Sequence, residues 1–210
     1  MNCPHCNQTI TLAAEFCPHC KKILPAAPDR SPFQALGYET ERMNLDLQDL
    51  EKRLFQLSKK FHPDRFAGGT PQEIQYSHDH SSAINNAYRL LKNPVSRAKY
   101  LVERELGSIE EKSASVPADM ADLFFEVHDH LDMIREANGN PPEDSVRAVN
   151  EAETGFREKV RLLEQDLEHK LNQHDDAPQK KVVEELKEIL SHRSYIQSFL
   201  RQIDNILGRD

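Results

Sequence analysis

A chain of 210 residues, 38% hydrophobic and 30% charged, has room for one or two modest domains with heavily solvated surfaces. Its formal charge of −8 excludes a general nucleic-acid binder, although a local basic patch can still act. No apolar run approaches the roughly 20 residues that cross a bilayer. The first residues, MNCPHC, have the layout of neither a secretory signal nor a transit peptide, so a cytoplasmic protein of bacterial type is expected, without a membrane partner.

Residues 1–24 hold all four cysteines, as two CPHC pairs: Cys3 with Cys6 and Cys17 with Cys20. Two C-x-x-C pairs separated by ten residues supply the ligands of a tetrahedral four-thiolate zinc site. A single CPHC also resembles the frame of thiol–disulfide oxidoreductases. That chemistry needs one motif at a helix start inside a thioredoxin-like unit, for which these residues leave no room. A structural Zn2+ is therefore expected on Cys3, Cys6, Cys17 and Cys20, with His5 and His19 as bystanders. So short a segment cannot build an adequate apolar core, and the metal supplies most of its folding energy.

Residues 25–31, rich in proline, read as a linker. A second segment spans 32–107. SPFQALGY predicts a short helix closed by Gly37. A longer helix follows, with Asp46 as its N-cap. Leu47, Leu50, Leu54, Leu57 and Phe61 form its apolar stripe, and Lys52, Arg53, Lys59 and Lys60 lie on the other faces. Pro63 ends that helix. A third helix runs from about Gln72 to Lys92 and stops at Asn93–Pro94. A fourth carries Ala98, Leu101 and Val102 and is closed by Gly107. Two HDH triplets, at His78–His80 and His128–His130, read as surface helix, because positions i and i+2 point apart and do not chelate.

After a connecting segment over 108–117, residues 118–210 contain three amphipathic stretches. Their stripes are Met120 to Ile134, Val149 to Leu171, and Val182 to Leu207. Such stripes need mutual burial, and an antiparallel three-helix bundle is the simplest arrangement. Phe125 lies off its stripe, and periodicity leaves two readings equally open: a partner surface built on an exposed aromatic, or a wide core stripe that includes it. The fold class expected is mainly α: a zinc module, a helical hairpin with short helices, and the C-terminal bundle.

FHPDRF admits three readings: a catalytic His–Asp pair, a metal site, or a recognition loop. No nucleophile elbow, phosphate-binding glycine loop or further ligand accompanies it, so catalysis and metal binding are disfavoured and no enzyme activity is expected. LFQLSKKFHPDRF followed by INNAYRLLKNP resembles a J domain, over Pro32 to about Leu106. The resemblance implies that His62, Pro63 and Asp64 stimulate ATP hydrolysis by a heat-shock-70-class chaperone. Lys52, Arg53, Lys59 and Lys60 would meet that partner's negative surface.

The continuation, without a Gly/Phe linker or β-rich domains, resembles the HscB family of co-chaperones in iron–sulfur cluster biogenesis. Pro94, Arg97, Ala98, Tyr100 and Leu101 match its P-x-x-R-A-x-Y-L run. The cysteine-paired extension resembles that of eukaryotic members. The resemblance implies that the C-terminal bundle holds the cluster scaffold protein, through LFFEVHDHLD and the last helix. Phe124, Phe125, His128, Asp132 and Tyr195 fall at the contact positions, His128 replacing the usual aliphatic residue. The partners implied are the chaperone and the scaffold, with weak self-association and no nucleic acid. Rival readings are a J protein for another client, a CPHC oxidoreductase and, more distantly, a zinc-ribbon nucleic-acid binder.

Overall fold

In a computed structural model of the chain, residues 1–11, 14–107, 116–137 and 139–209 are described. The expected connection over 108–117 lies largely outside them. Seven α-helices carry the described structure: α1 (Pro32–Ala35), α2 (Leu47–Phe61), α3 (Pro71–Lys92), α4 (Pro94–Leu106), α5 (Ala121–Glu136), α6 (Glu143–Asp176) and α7 (Lys180–Leu207). Among the described residues there is no strand, only the isolated antiparallel bridges Asn2–Thr9 and Phe16–Ile23. The mainly α class read from the sequence is what the chain adopts.

Two compact units result, Met1–Arg97 and Ala98–Asp210, dividing within α4. In the first, local chemistry sets each boundary. Ser31 and Gln34 form a capping box on α1, whose exit runs through Gly37 at φ +75°. Asp46 accepts the Gln48 N–H at 2.8 Å and starts α2. Thr70 and Glu73 form a second capping box on α3, with Pro71 at its first position. The Asn93 side chain accepts from Val95 and Ser96 and opens α4. Leu50 and Phe61 of the α2 stripe are buried, whereas Leu47 at its start is exposed.

In the second unit α5, α6 and α7 pack on one another. The pairs Lys170–Glu185, Glu164–Arg193 and Glu153–Arg209 step away from the α6–α7 connection along both helices, the mark of antiparallel pairing. Phe124, Val127, Leu131, Ile134, Val149, Phe156, Ile196, Phe199 and Ile203 form the shared core. All but Phe124 and Phe199 lie on the stripes the spacing predicts, buried against one another.

Candidate functional site

Two sequence-related turns build the cysteine cluster. In each, the residue after the second cysteine takes a left-handed backbone, Asn7 at φ 59° and Lys21 at φ 64°. Each turn closes with paired backbone bonds: Cys3 N–H to Gln8 and Asn7 N–H to Cys3 in the first, Cys17 N–H to Lys22 and Lys21 N–H to Cys17 in the second. The turns aim four sulfurs inward, all within 4.8 Å of one another. Cys3 and Cys20 sulfurs lie 3.8 Å apart and Cys6 and Cys17 sulfurs 3.7 Å. A Zn–S bond of about 2.3 Å gives a tetrahedron edge of about 3.8 Å, so the spacing suits a tetrahedral ion.

The electrostatics agree with the geometry. Burial opposes ionisation of Cys17, but the N–H groups of Cys20 and His19 outweigh it and draw the thiol down to about 6. Cys6, although the Gln8 N–H favours its thiolate, is pushed up to about 12 by burial and the neighbouring sulfurs. Sulfurs this close do not all ionise without a cation, and a dication removes that conflict. The four cysteines are thus positioned to bind a metal ion. His5 joins the two turns instead, its Nε2–H donating to the Ile23 carbonyl at 3.0 Å.

His62 caps α2 with an extended backbone, φ −60° and ψ 130°, and Pro63–Phe66 follows as one 3-10 turn. The His62 Nδ1 accepts the Asp64 N–H at 3.3 Å. The turn brings the two polar side chains together, with Nδ1 3.5 Å from Asp64 Oδ2. Both remain solvent-facing, at 56% and 90% side-chain exposure, as a recognition surface requires and a catalytic dyad in a closed pocket does not.

The four basic residues divide. Lys52 and Lys59 are exposed on α2. Arg53 instead binds Asp49 at 2.6 Å, donates to the Gly37 carbonyl at 2.7 Å and lies over the Tyr38 ring. Lys60 binds Glu15 at 2.5 Å, within the cysteine module. The sequence missed Phe55, which is 71% exposed. It lines an open apolar groove with Ser58, Lys59, His62 and Arg65. Its signal was available: like Phe125, it stands off its helix's apolar stripe.

The HDH triplets are not uniformly surface. His80 is buried, stacked on Phe61 at 4.2 Å and bonded through Nε2 to the Leu24 carbonyl at 3.0 Å. Ser77 and Ser81 donate to the Phe61 carbonyl at 2.8 and 3.0 Å. In the second triplet His130 shares a hydrogen bond with Ser145. These long-range partners are invisible to local spacing.

In the second unit Phe125, His128, Asp129 and Asp132 recur at three-and-four spacing and so share one face of α5. Phe125 is 72% exposed. Asp132 pairs with Arg135 at 2.8 Å and stays at the surface. Phe124, expected beside Phe125 at the contact surface, is a core residue at 2% exposure. Its ring meets Phe156, Tyr195 and Phe199 at 4.6–5.0 Å. Tyr195 and His128 are half-buried around it, His128 tilted on Phe199.

No family model matches the chain. The chain is 26% identical over 202 residues to the mouse iron-sulfur cluster co-chaperone protein HscB, covering 96% of this chain and 80% of that one. It is 43% identical over 70 residues to the co-chaperone HscB of Proteus mirabilis, an alignment spanning 40% of that relative. Human HscB has the same fold, with a TM-score of 0.70 at 22% identity over 98% of both chains. HscB of Vibrio cholerae matches at 0.56 and 19% identity, covering 85% of this chain and 98% of that one. Across these comparisons the chain is similar to HscB-type co-chaperones and shares the fold of their solved structures.

Proposed function

We propose that the protein delivers an iron–sulfur cluster scaffold protein to a heat-shock-70-class chaperone and stimulates that chaperone's ATPase, without being an enzyme itself. The observation that carries this reading is the solvent-facing His62-Pro63-Asp64 turn, continuous with an exposed face of α2 that holds Lys52, Lys59 and Phe55. Positive charge beside an apolar anchor suits docking to an acidic surface, where charge speeds the encounter and burial slows release. Arg53 and Lys60 act through the fold, since both are held by internal partners.

The scaffold is held by the α5 face of Phe125, His128 and Asp132, with Tyr195 supporting it through Phe124. Phe124 shapes this face from below. Holding client and chaperone on one chain makes the second encounter effectively intramolecular. The metal is a structural Zn2+ on Cys3, Cys6, Cys17 and Cys20, a closed four-sulfur set. A reducing, cytoplasmic setting suits four free cysteines.

The test is steady-state ATP turnover by the chaperone with this protein, with and without scaffold. His62→Gln should abolish stimulation while scaffold binding stays intact. Undiminished stimulation by that variant would refute the reading.

A further inference from the structure

Two consecutive residues of the cysteine module meet two consecutive residues of α2. Glu15 binds Lys60 at 2.5 Å, and the Phe16 ring stacks on Phe61 at 5.6 Å with 13° between the planes. The next residue on one side is Cys17, a metal-site sulfur; the next on the other is His62. The Lys60 ammonium also lies 5.5 Å from the Phe16 ring and 5.1 Å from the Phe61 ring. Arg30 holds Glu15 from the other side at 3.1 Å. The module is fastened again at Lys22 to Glu73 of α3, and at the Leu24 carbonyl to His80, whose ring stacks on Phe61.

We propose that the four-cysteine module positions the His-Pro-Asp turn, with Glu15 and Phe16 as its positioning residues and metal occupancy as the condition for their placement. The role rests on the reading of that turn as the chaperone-docking element, and it gives the module a task beyond its own folding.

The physical reasoning is short. A 3-10 turn with no buried residue of its own takes its conformation from its anchor. That anchor is Phe61, fully buried, with its carbonyl accepting from two serines of α3 and its ring covered by Phe16 and His80. The serines belong to α3 and keep their bonds to the Phe61 carbonyl without the module, whereas His80 also loses its bond to the Leu24 carbonyl. Phe16 and Glu15 sit in the short stretch directly before Cys17, which the sulfur cluster holds. Once the metal leaves, a module this small loses its main ordering term, and both residues lose their aim. The turn then spends less time in its docking conformation. The apparent affinity for a partner falls by that fraction, whereas the response at saturation is preserved.

The experiment uses the full metal-loaded chain with Phe16→Ala, Phe16→Tyr and Glu15→Gln, each first assayed for metal. Hydrogen exchange at the Asp64, Arg65 and Phe66 amides is measured alone. Half-saturating concentration and maximal ATPase stimulation are then measured against purified chaperone. With metal retained, Phe16→Ala should speed exchange at these amides by up to about tenfold and raise the half-saturating concentration similarly, with the maximum unchanged. Phe16→Tyr, which keeps the ring, should restore both, and Glu15→Gln should show a smaller change of the same sign. Wild-type exchange in metal-loaded Phe16→Ala overturns the proposal. If that variant loses its metal, Phe16→Leu is judged by the same criterion. His62→Gln is the separate control: normal stimulation by it sinks the docking reading, while the exchange data still decide the coupling.

Discussion

Phe61 and His80 stack face to face, 4.2 Å between ring centroids and 10° between planes, nineteen residues apart in sequence. The contact joins the last residue of α2 to the middle of α3, directly behind the His-Pro-Asp turn. It also fixes the ionisation of His80. Burial disfavours the imidazolium and lowers the pKa from 6.5, and the Leu24 carbonyl and Glu15, acting oppositely, do not overcome it.

That shift has a sign. The unfolded chain takes up this proton near 6.5, whereas the folded one takes it up only at lower pH. The His80 contribution to stability is therefore complete above about pH 6.5 and is lost as pH falls from there towards the folded value. Urea melts of the wild type and His80→Gln across this range should show a shallower pH dependence in the variant.

Adjacent phenylalanines on α5 should behave oppositely. Phe124→Ala opens a cavity among Phe156, Tyr195 and Phe199 and should cost about 3–5 kcal/mol of stability. Phe125→Ala should leave the melting midpoint almost unchanged and weaken scaffold binding at least tenfold by calorimetry, about 1.4 kcal/mol. Scaffold affinity retained in Phe125→Ala would move the docking site elsewhere.

The basic residues of α2 should separate in the same way. Lys52→Ala with Lys59→Ala should slow association with the chaperone, most at low salt, and leave stability within about 0.5 kcal/mol. Arg53→Ala should chiefly lower the melting temperature, because it removes the contacts to Asp49, Gly37 and the Tyr38 ring. Stopped-flow association and thermal melts distinguish the two. Phe55→Ser is expected to raise the chaperone dissociation rate with stability unaltered.

Freshly reduced protein should carry one zinc per chain, released on modification of its thiols. Replacing Cys17 with Ser should abolish stoichiometric binding, since the remaining three sulfurs leave the tetrahedron open. A metal-free wild type on elemental analysis would remove the zinc assignment.

The sequence alone determined whatever depends on near neighbours. Three-and-four spacing set the helix stripes. Asp46, Pro63, Asn93 and Gly107 set the boundaries. Two CPHC turns, each a local loop, were enough to name the four metal-site sulfurs. Tertiary structure decided which chemically similar residues are spent inside the molecule. Phe124 and Phe125 differ by one position, and only the packing of α6 and α7 buries one and leaves the other at the surface. Arg53 and Lys60 look like Lys52 and Lys59 until the Gly37 carbonyl and Glu15 claim them. His80 reads as surface until Leu24 and Phe61 close over it. Each of these outcomes depends on a partner 16 or more residues away, brought near only when the elements pack. No local period encodes that distance.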